Sequence, residues 1–95
     1  MAERIEPRHD VEIQGRYRTG NGIAYDVKVM ELSRHGCRIF DKFSNLQRDK
    51  QISIRIGSIG PIFAQVRWRE GNLVGIQFNE ALHPSVLDHM RYTID

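Results

Sequence analysis

Two arginines four residues apart, Arg4 and Arg8 in "RIEPR", are the first side chains of this 95-residue sequence suited to holding an anion. Each guanidinium is a planar fork of donors that matches phosphate oxygens or the O6/N7 edge of guanine. Pro7 keeps the segment out of a helix interior and pushes Glu6 toward an extended conformation. In a straight strand the two arginines stand ~13 Å apart, whereas a bent arm brings both onto one ligand. A second polar cluster follows in "ELSRHG". Ser33 can hold a turn through nearby backbone, and Gly36 allows a positive φ or close approach of a ligand to the main chain. Glu31 continues the parity of Val27 and Val29, which predicts a carboxylate where the core face opens at a rim. There it can accept from the N1–H/N2–H₂ edge of a guanine. Taken singly, the two fragments read as a solvated terminus and an ordinary turn.

Other chemistry finds less support. The four histidines (His9, His35, His83, His89) show no metal-ligand spacing with one another or with Cys37. His83 and His89 are six apart and point different ways from a helix, so solvation or capping accounts for them. Cys37 lies in an alternating stretch, which predicts a core position rather than a nucleophile. No serine carries a G-x-S-x-G elbow, and the chain is expected to be no enzyme and to need no cofactor or metal. Trp68, between Arg67 and Arg69, raises the possibility of stacking single-stranded nucleic acid. Its parity with Ile62, Ala64 and Val66 instead predicts a core or rim position, with both arginines facing outward.

The elements that must position these residues read as short strands. Composition is 40% hydrophobic and 27% charged, that of one ordinary globular domain. A net charge of +2 does not by itself argue for a polyanionic partner. One cysteine excludes an internal disulfide, no run is long enough for a transmembrane helix, and the N-terminus lacks the apolar stretch of a signal peptide. The expected location is cytoplasmic. Period-two alternation marks Val11, Ile13 and Tyr17; Ile23, Tyr25, Val27 and Val29; Cys37 and Ile39; Ile52, Ile54 and Ile56; Ile62, Ala64, Val66 and Trp68; then "LVGIQF". "TGNG" and "REGN" supply turns. "DKFSNLQRDK" is a polar loop with room for one helical turn, since Phe43 and Leu46 are three apart. At the end the period changes, and "HPSVLDHMRYTID" predicts a helix starting near Pro84 with Val86, Leu87, Met90 and Ile94 on one face. Five or six short strands with tight turns predict a mainly β, closed or nearly closed antiparallel barrel with a C-terminal helix. Residues 1–10 read as a flexible arm and 11–95 as the barrel with its helix.

With arm, hairpin and bend in this order, the chain resembles the PilZ domain family, whose signature pairs RxxxR with D/N-x-S-x-x-G. Here these are Arg4-x-x-x-Arg8 and Glu31-x-Ser33-x-x-Gly36, followed by Val66, Trp68, Gly75, Ile76 and Phe78 in place of the later "V-x-W … G-x-x-F" pattern. The resemblance covers nearly the whole chain. It implies a six-stranded barrel that binds the bacterial second messenger cyclic di-GMP. Arg4 and Arg8 would grip phosphates and guanine edges, Ser33 and Gly36 would contact guanine, and ordering of the arm would signal to a protein partner of motility, pilus or polysaccharide machinery. Glu31 departs from the family's Asp or Asn by one methylene, which keeps the acceptor and shifts it. Some PilZ domains act through protein contacts alone, so a docking module indifferent to nucleotide is the alternative.

Overall fold

The computed structural model describes residues 9–43 and 46–91. Within them run β1 (His9–Arg18), β2 (Ala24–Leu32), β3 (Gly36–Phe40), β4 (Gln51–Ile56), β5 (Ile59–Glu70), β6 (Leu73–Phe78) and α1 (Pro84–Arg91). Every strand pairing is antiparallel, and the order β1-β2-β3-β6-β5-β4 closes into a barrel because β4 returns to β1. The fold is mainly β, a closed six-stranded antiparallel barrel with a short C-terminal helix, as the alternation and the resemblance imply.

Alternation places the core over most of each strand. Ile13 and Tyr17, Val27 and Val29, Cys37 and Ile39, Ile52, Ile54 and Ile56, Ala64 and Val66, and Val74, Ile76 and Phe78 all point inward. The β1–β2 turn uses Gly22 at φ +83°, where an L side chain would be strained. Asn21 supports the turn by accepting from the Ile23 N–H at 2.9 Å. Ile23 itself lies outside the strand and is exposed.

The two ends of the barrel are finished differently. At the end where β3 begins, the Ser33–Gly36 bend is tied to the run into α1. The Leu82 N–H donates to the Arg34 carbonyl at 2.7 Å, and Arg34 Nε donates to the Leu82 carbonyl at 2.9 Å. His83 caps the helix by accepting from the Ser85 N–H at Nδ1, and Pro84 follows it at the first helical position. Leu87 and Met90 then bury themselves in the core. Ile94, expected on the same face, lies outside the described residues.

At the other end the stretch read as a polar loop supplies a fully buried carboxylate, Asp41. It accepts from Tyr17 Oη at 3.1 Å, from the Phe43 N–H at 3.2 Å and from Arg69 Nη1 at 3.1 Å. Arg69 Nη2 also donates to the Asp41 carbonyl at 3.0 Å. Leu46 packs into the core beneath this network, and no helical turn forms in residues 41–43 or 46–50. Rings continue outward from it, Tyr17 stacked on Tyr25 and Tyr25 packed at a tilt against Phe43, each pair with centroids 5.2 Å apart. Arg69 is therefore turned into the barrel end, which corrects the expectation that it faces solvent beside Trp68.

Two outcomes follow. Removing a cation from a buried ion pair leaves the carboxylate without compensation, so Arg69→Met is expected to lower the unfolding free energy by about 3–5 kcal/mol in urea titrations. Burial pushes the Cys37 thiol up from its ordinary value to about 12. A raised value favours the neutral thiol in the fold, so this contribution is complete below the ordinary thiol range and is lost as pH climbs from there toward 12. Native protein at pH 8 should then resist iodoacetamide, with alkylation of Cys37 appearing on unfolding. Rapid labelling of the folded chain would contradict that burial.

Candidate functional site

The Glu31-x-Ser33-x-x-Gly36 bend and Trp68 meet on the outer wall of the barrel, and two β-bulges help to put them there. In β2 the register against β3 runs Val29↔Ile39 and then Glu31↔Arg38, so Met30 is an extra residue. Val29 points inward, and the additional residue turns Glu31 outward beside Arg38 while Leu32 returns to the core. The parity that placed Glu31 on the core face at a rim is thus broken by one residue. In β5 the register against β6 runs Val66↔Ile76 and then Trp68↔Gly75, so Arg67 is the extra residue. Trp68, expected in the core or at the rim, is brought to the surface and is 41% exposed.

These shifts align one transverse row across four strands: Glu31 on β2, Arg38 on β3, Gly75 on β6 and Trp68 on β5. Glu31 and Arg38 form a loose ion pair, Oε2 to Nη2 at 3.9 Å. Arg38 Nε is buried and has no hydrogen-bond partner among the described residues. Gly75 leaves a gap that the indole occupies, since a Cβ there would collide with Trp68 Nε1 and Cε2. Beside the row, Arg67 Nη1 donates to Gln77 Oε1 at 2.7 Å.

The bend caps the row at the end nearest α1. The Ser33 N–H donates to the Gly36 carbonyl at 2.9 Å, while Ser33 Oγ accepts from the His35 N–H at 3.4 Å, so Ser33 holds the turn as its type suggested. Gly36 has no positive φ. Its lack of a side chain serves the approach of β6, because a Cβ would run into the Ile76 carbonyl oxygen. Close packing of protein backbone accounts for this glycine in the free molecule.

Glu31, Ser33, Gly36, Arg38, Arg67 and Trp68 together line an open cleft of about 190 Å³. Of the five residues singled out for ligand binding, Glu31, Ser33 and Gly36 come together here, while Arg4 and Arg8 lie outside the described residues. The described chain begins with His9 paired to Leu32, the neighbour of Ser33. Arg38 and Arg67 were not singled out. Arg38 is legible in retrospect as the outward residue between inward Cys37 and Ile39, but Arg67 owes its position to the bulge. Arg67 and Arg69 were both expected to face outward, away from Trp68; instead Arg67 lines the cleft beside Trp68 and Arg69 turns into the barrel end. Among the described residues, no His, Cys, Asp or Glu cluster has the arrangement to hold a metal ion.

Among protein-family models, one described as PilZ domain matches residues 2–93. Comparison with curated proteins gave no match.

The two wall glycines should respond differently to a methyl group. In Gly75→Ala the added Cβ meets an exposed indole that can swing away. The expected result is a red shift in emission from Trp68, the sole tryptophan, with stability changed by less than about 1 kcal/mol. In Gly36→Ala the obstacle is backbone, β3 and β6 must part, and the loss should exceed about 2 kcal/mol. Equal stability of the two variants would contradict this assignment.

Proposed function

Because the chain belongs to the PilZ domain family, we propose that it is a cytoplasmic receptor that binds cyclic di-GMP and relays that binding to a protein partner. The observation that carries the reading is the cleft itself. It gathers the Glu31-x-Ser33-x-x-Gly36 bend, two further guanidinium groups and an exposed aromatic face on one wall. A cyclic dinucleotide offers two phosphates and two guanines, and this lining answers both kinds of group. Guanidinium forks suit phosphate oxygens and the O6/N7 edge. The Trp68 indole offers a stacking surface to a purine, and Ser33 and Glu31 have acceptors for base N–H groups. Arg38, whose buried Nε has no described partner, has a donor to spend on a ligand.

Covalent connection supports the role given to the arm. Consecutive Cα atoms are ~3.8 Å apart, so Arg8 is attached one residue from the His9–Leu32 pair and within easy reach of Ser33. Arg4 follows four residues further along the same segment. In this reading both arginines close over a ligand lying on the outer wall rather than across an open barrel end, because core side chains fill the interior. The barrel contributes recognition and no catalysis. The relay consists of the ligand and the ordered arm together presenting a surface that the free protein lacks.

Isothermal titration with cyclic di-GMP is the direct test, with saturable heat and quenching of Trp68 emission as the expected outcome. Arg8→Ala removes one guanidinium's charge-assisted contacts, about 1.5–3 kcal/mol, or roughly tenfold to over a hundredfold in affinity. Glu31→Asp restores the shorter acceptor of the family pattern and should tighten binding. Absence of heat at about 100 µM ligand, with the fold intact by circular dichroism, would remove the receptor reading and leave the nucleotide-indifferent docking module.

A further inference from the structure

We propose that the wall formed by β1 and β4 docks an acidic, extended segment of a partner protein. In the ring order β1-β2-β3-β6-β5-β4, the β1–β4 seam stands across the barrel axis from the β3–β6 seam. It therefore faces away from the cleft described above. Arg16, Arg18 and Arg55 line a groove of about 450 Å³ there, with Ser53 and Pro61.

The charges in this groove are unevenly answered. Arg16 Nε donates to Asp26 at 2.8 Å and is neutralised. Arg18 Nη1 donates to the Gly22 carbonyl at 3.0 Å, a neutral acceptor that leaves its charge uncompensated. The Arg55 side chain makes no hydrogen bond or ion pair among the described residues and sits directly opposite Arg16. On the neighbouring β1–β2 seam a cation is answered by a carboxylate, as Lys28 is by Glu12 at 2.8 Å. The Arg55 guanidinium therefore stays available to a carboxylate from outside the barrel.

Geometry defines the occupant. Arg18 faces Ser53, so Arg18 and Arg55 are diagonal neighbours, ~7–8 Å apart. Ser53 in turn faces Phe63, which is 63% exposed. In an extended peptide, residues i and i+2 lie on one face ~6.8 Å apart. An acid–x–acid segment with an apolar residue beside it can thus set two carboxylates on the two uncompensated guanidiniums and cover the Phe63 ring. A nucleic-acid backbone wants a longer run of cations, and here the lining runs from the three arginines straight to Gln14, Gly57 and Pro61. This surface does not involve the nucleotide cleft.

Nitrogen-15 amide spectra of the whole chain, titrated with a capped peptide alternating Glu-Ser-Glu-Ser-Leu, test the proposal. At about 1 mM peptide, a concentration suited to a weak contact, shifts should cluster at Arg18, Ser53, Arg55 and Phe63. Arg55→Glu should reduce them at least about fivefold while keeping a folded spectrum. Phe63→Ser should weaken them independently of charge. Arg67→Glu, which makes the same change in net charge at the other wall, should leave them as they are, and cyclic di-GMP titration of Arg55→Glu should match the parent. The proposal is overturned by no shifts, by shifts centred on Arg38 and Arg67, or by shifts that survive Arg55→Glu. Stronger perturbation of the same amides by a single-stranded oligonucleotide would overturn it too.

Discussion

A closed sheet has a single interior, and a strand that contributes to it must send every second side chain inward. Within this barrel that rule is enforced by core residues on all six strands, so a strand can alter its outward face only by gaining a residue. β2 and β5 each do so against the strands that separate them, at Met30 against β3 and at Arg67 against β6. The consequence is local and large. Glu31 and Trp68 leave the inward register and fall into line with Arg38 and Gly75, while Leu32 resumes the core on one side and Arg69 reaches the barrel end on the other. Both bulges border β3 and β6, the two strands that form the centre of the cleft.

The same displacement links the site to stability. If Trp68 stayed in register, Arg69 would point to solvent and Asp41 would lack its cation. With the bulge, Arg69 bonds both the carboxylate and the carbonyl of Asp41, and Tyr17 adds a third contact from β1. One extra residue in β5 therefore exposes an aromatic ring at the cleft and completes a buried polar network beyond it. Buried networks of this kind are stabilising only when every member is satisfied. Asp41 meets that condition with both carboxylate oxygens, its carbonyl, and its own N–H donated to the Asn72 carbonyl at 2.8 Å.

Alternation made the architecture legible, because Ile52-Ile54-Ile56 or Val27-Val29 can serve only as inward stripes once the sheet closes. The turn glycines and the Pro84 helix start were legible for the same local reasons. The bulges were not, because an additional Met or Arg carries no compositional mark and shows itself only through the partner strand's register. Glu31 and Trp68 were consequently assigned to the wrong face while being recognised as residues of interest. Asp41 was hidden in a polar stretch where a buried carboxylate and a solvated one look alike. Gly36 was noticed for its missing side chain, but the pressure on it comes from β6, forty residues later. Spacing between Arg4-x-x-x-Arg8 and the bend carried the family; the geometry of the wall between them came from long-range pairing.

A barrel built this way is poorly suited to signalling by a change of its own shape. All six strands are paired on both sides, one end is held by the Asp41 network and the other by the Arg34–Leu82 bonds and the buried face of α1. Opening any seam would break ladder hydrogen bonds and expose core residues together, at a cost comparable with the marginal stability of a domain this size. A molecule bound on the outer wall must then act mainly by what it adds to that wall. The cleft is shallow and open, so a dinucleotide seated in it would leave one side uncovered. The chain enters β1 beside Ser33, where that uncovered side would lie. Under the proposed function, recognition by rigid rows and communication by an added surface would be two results of the same closed sheet.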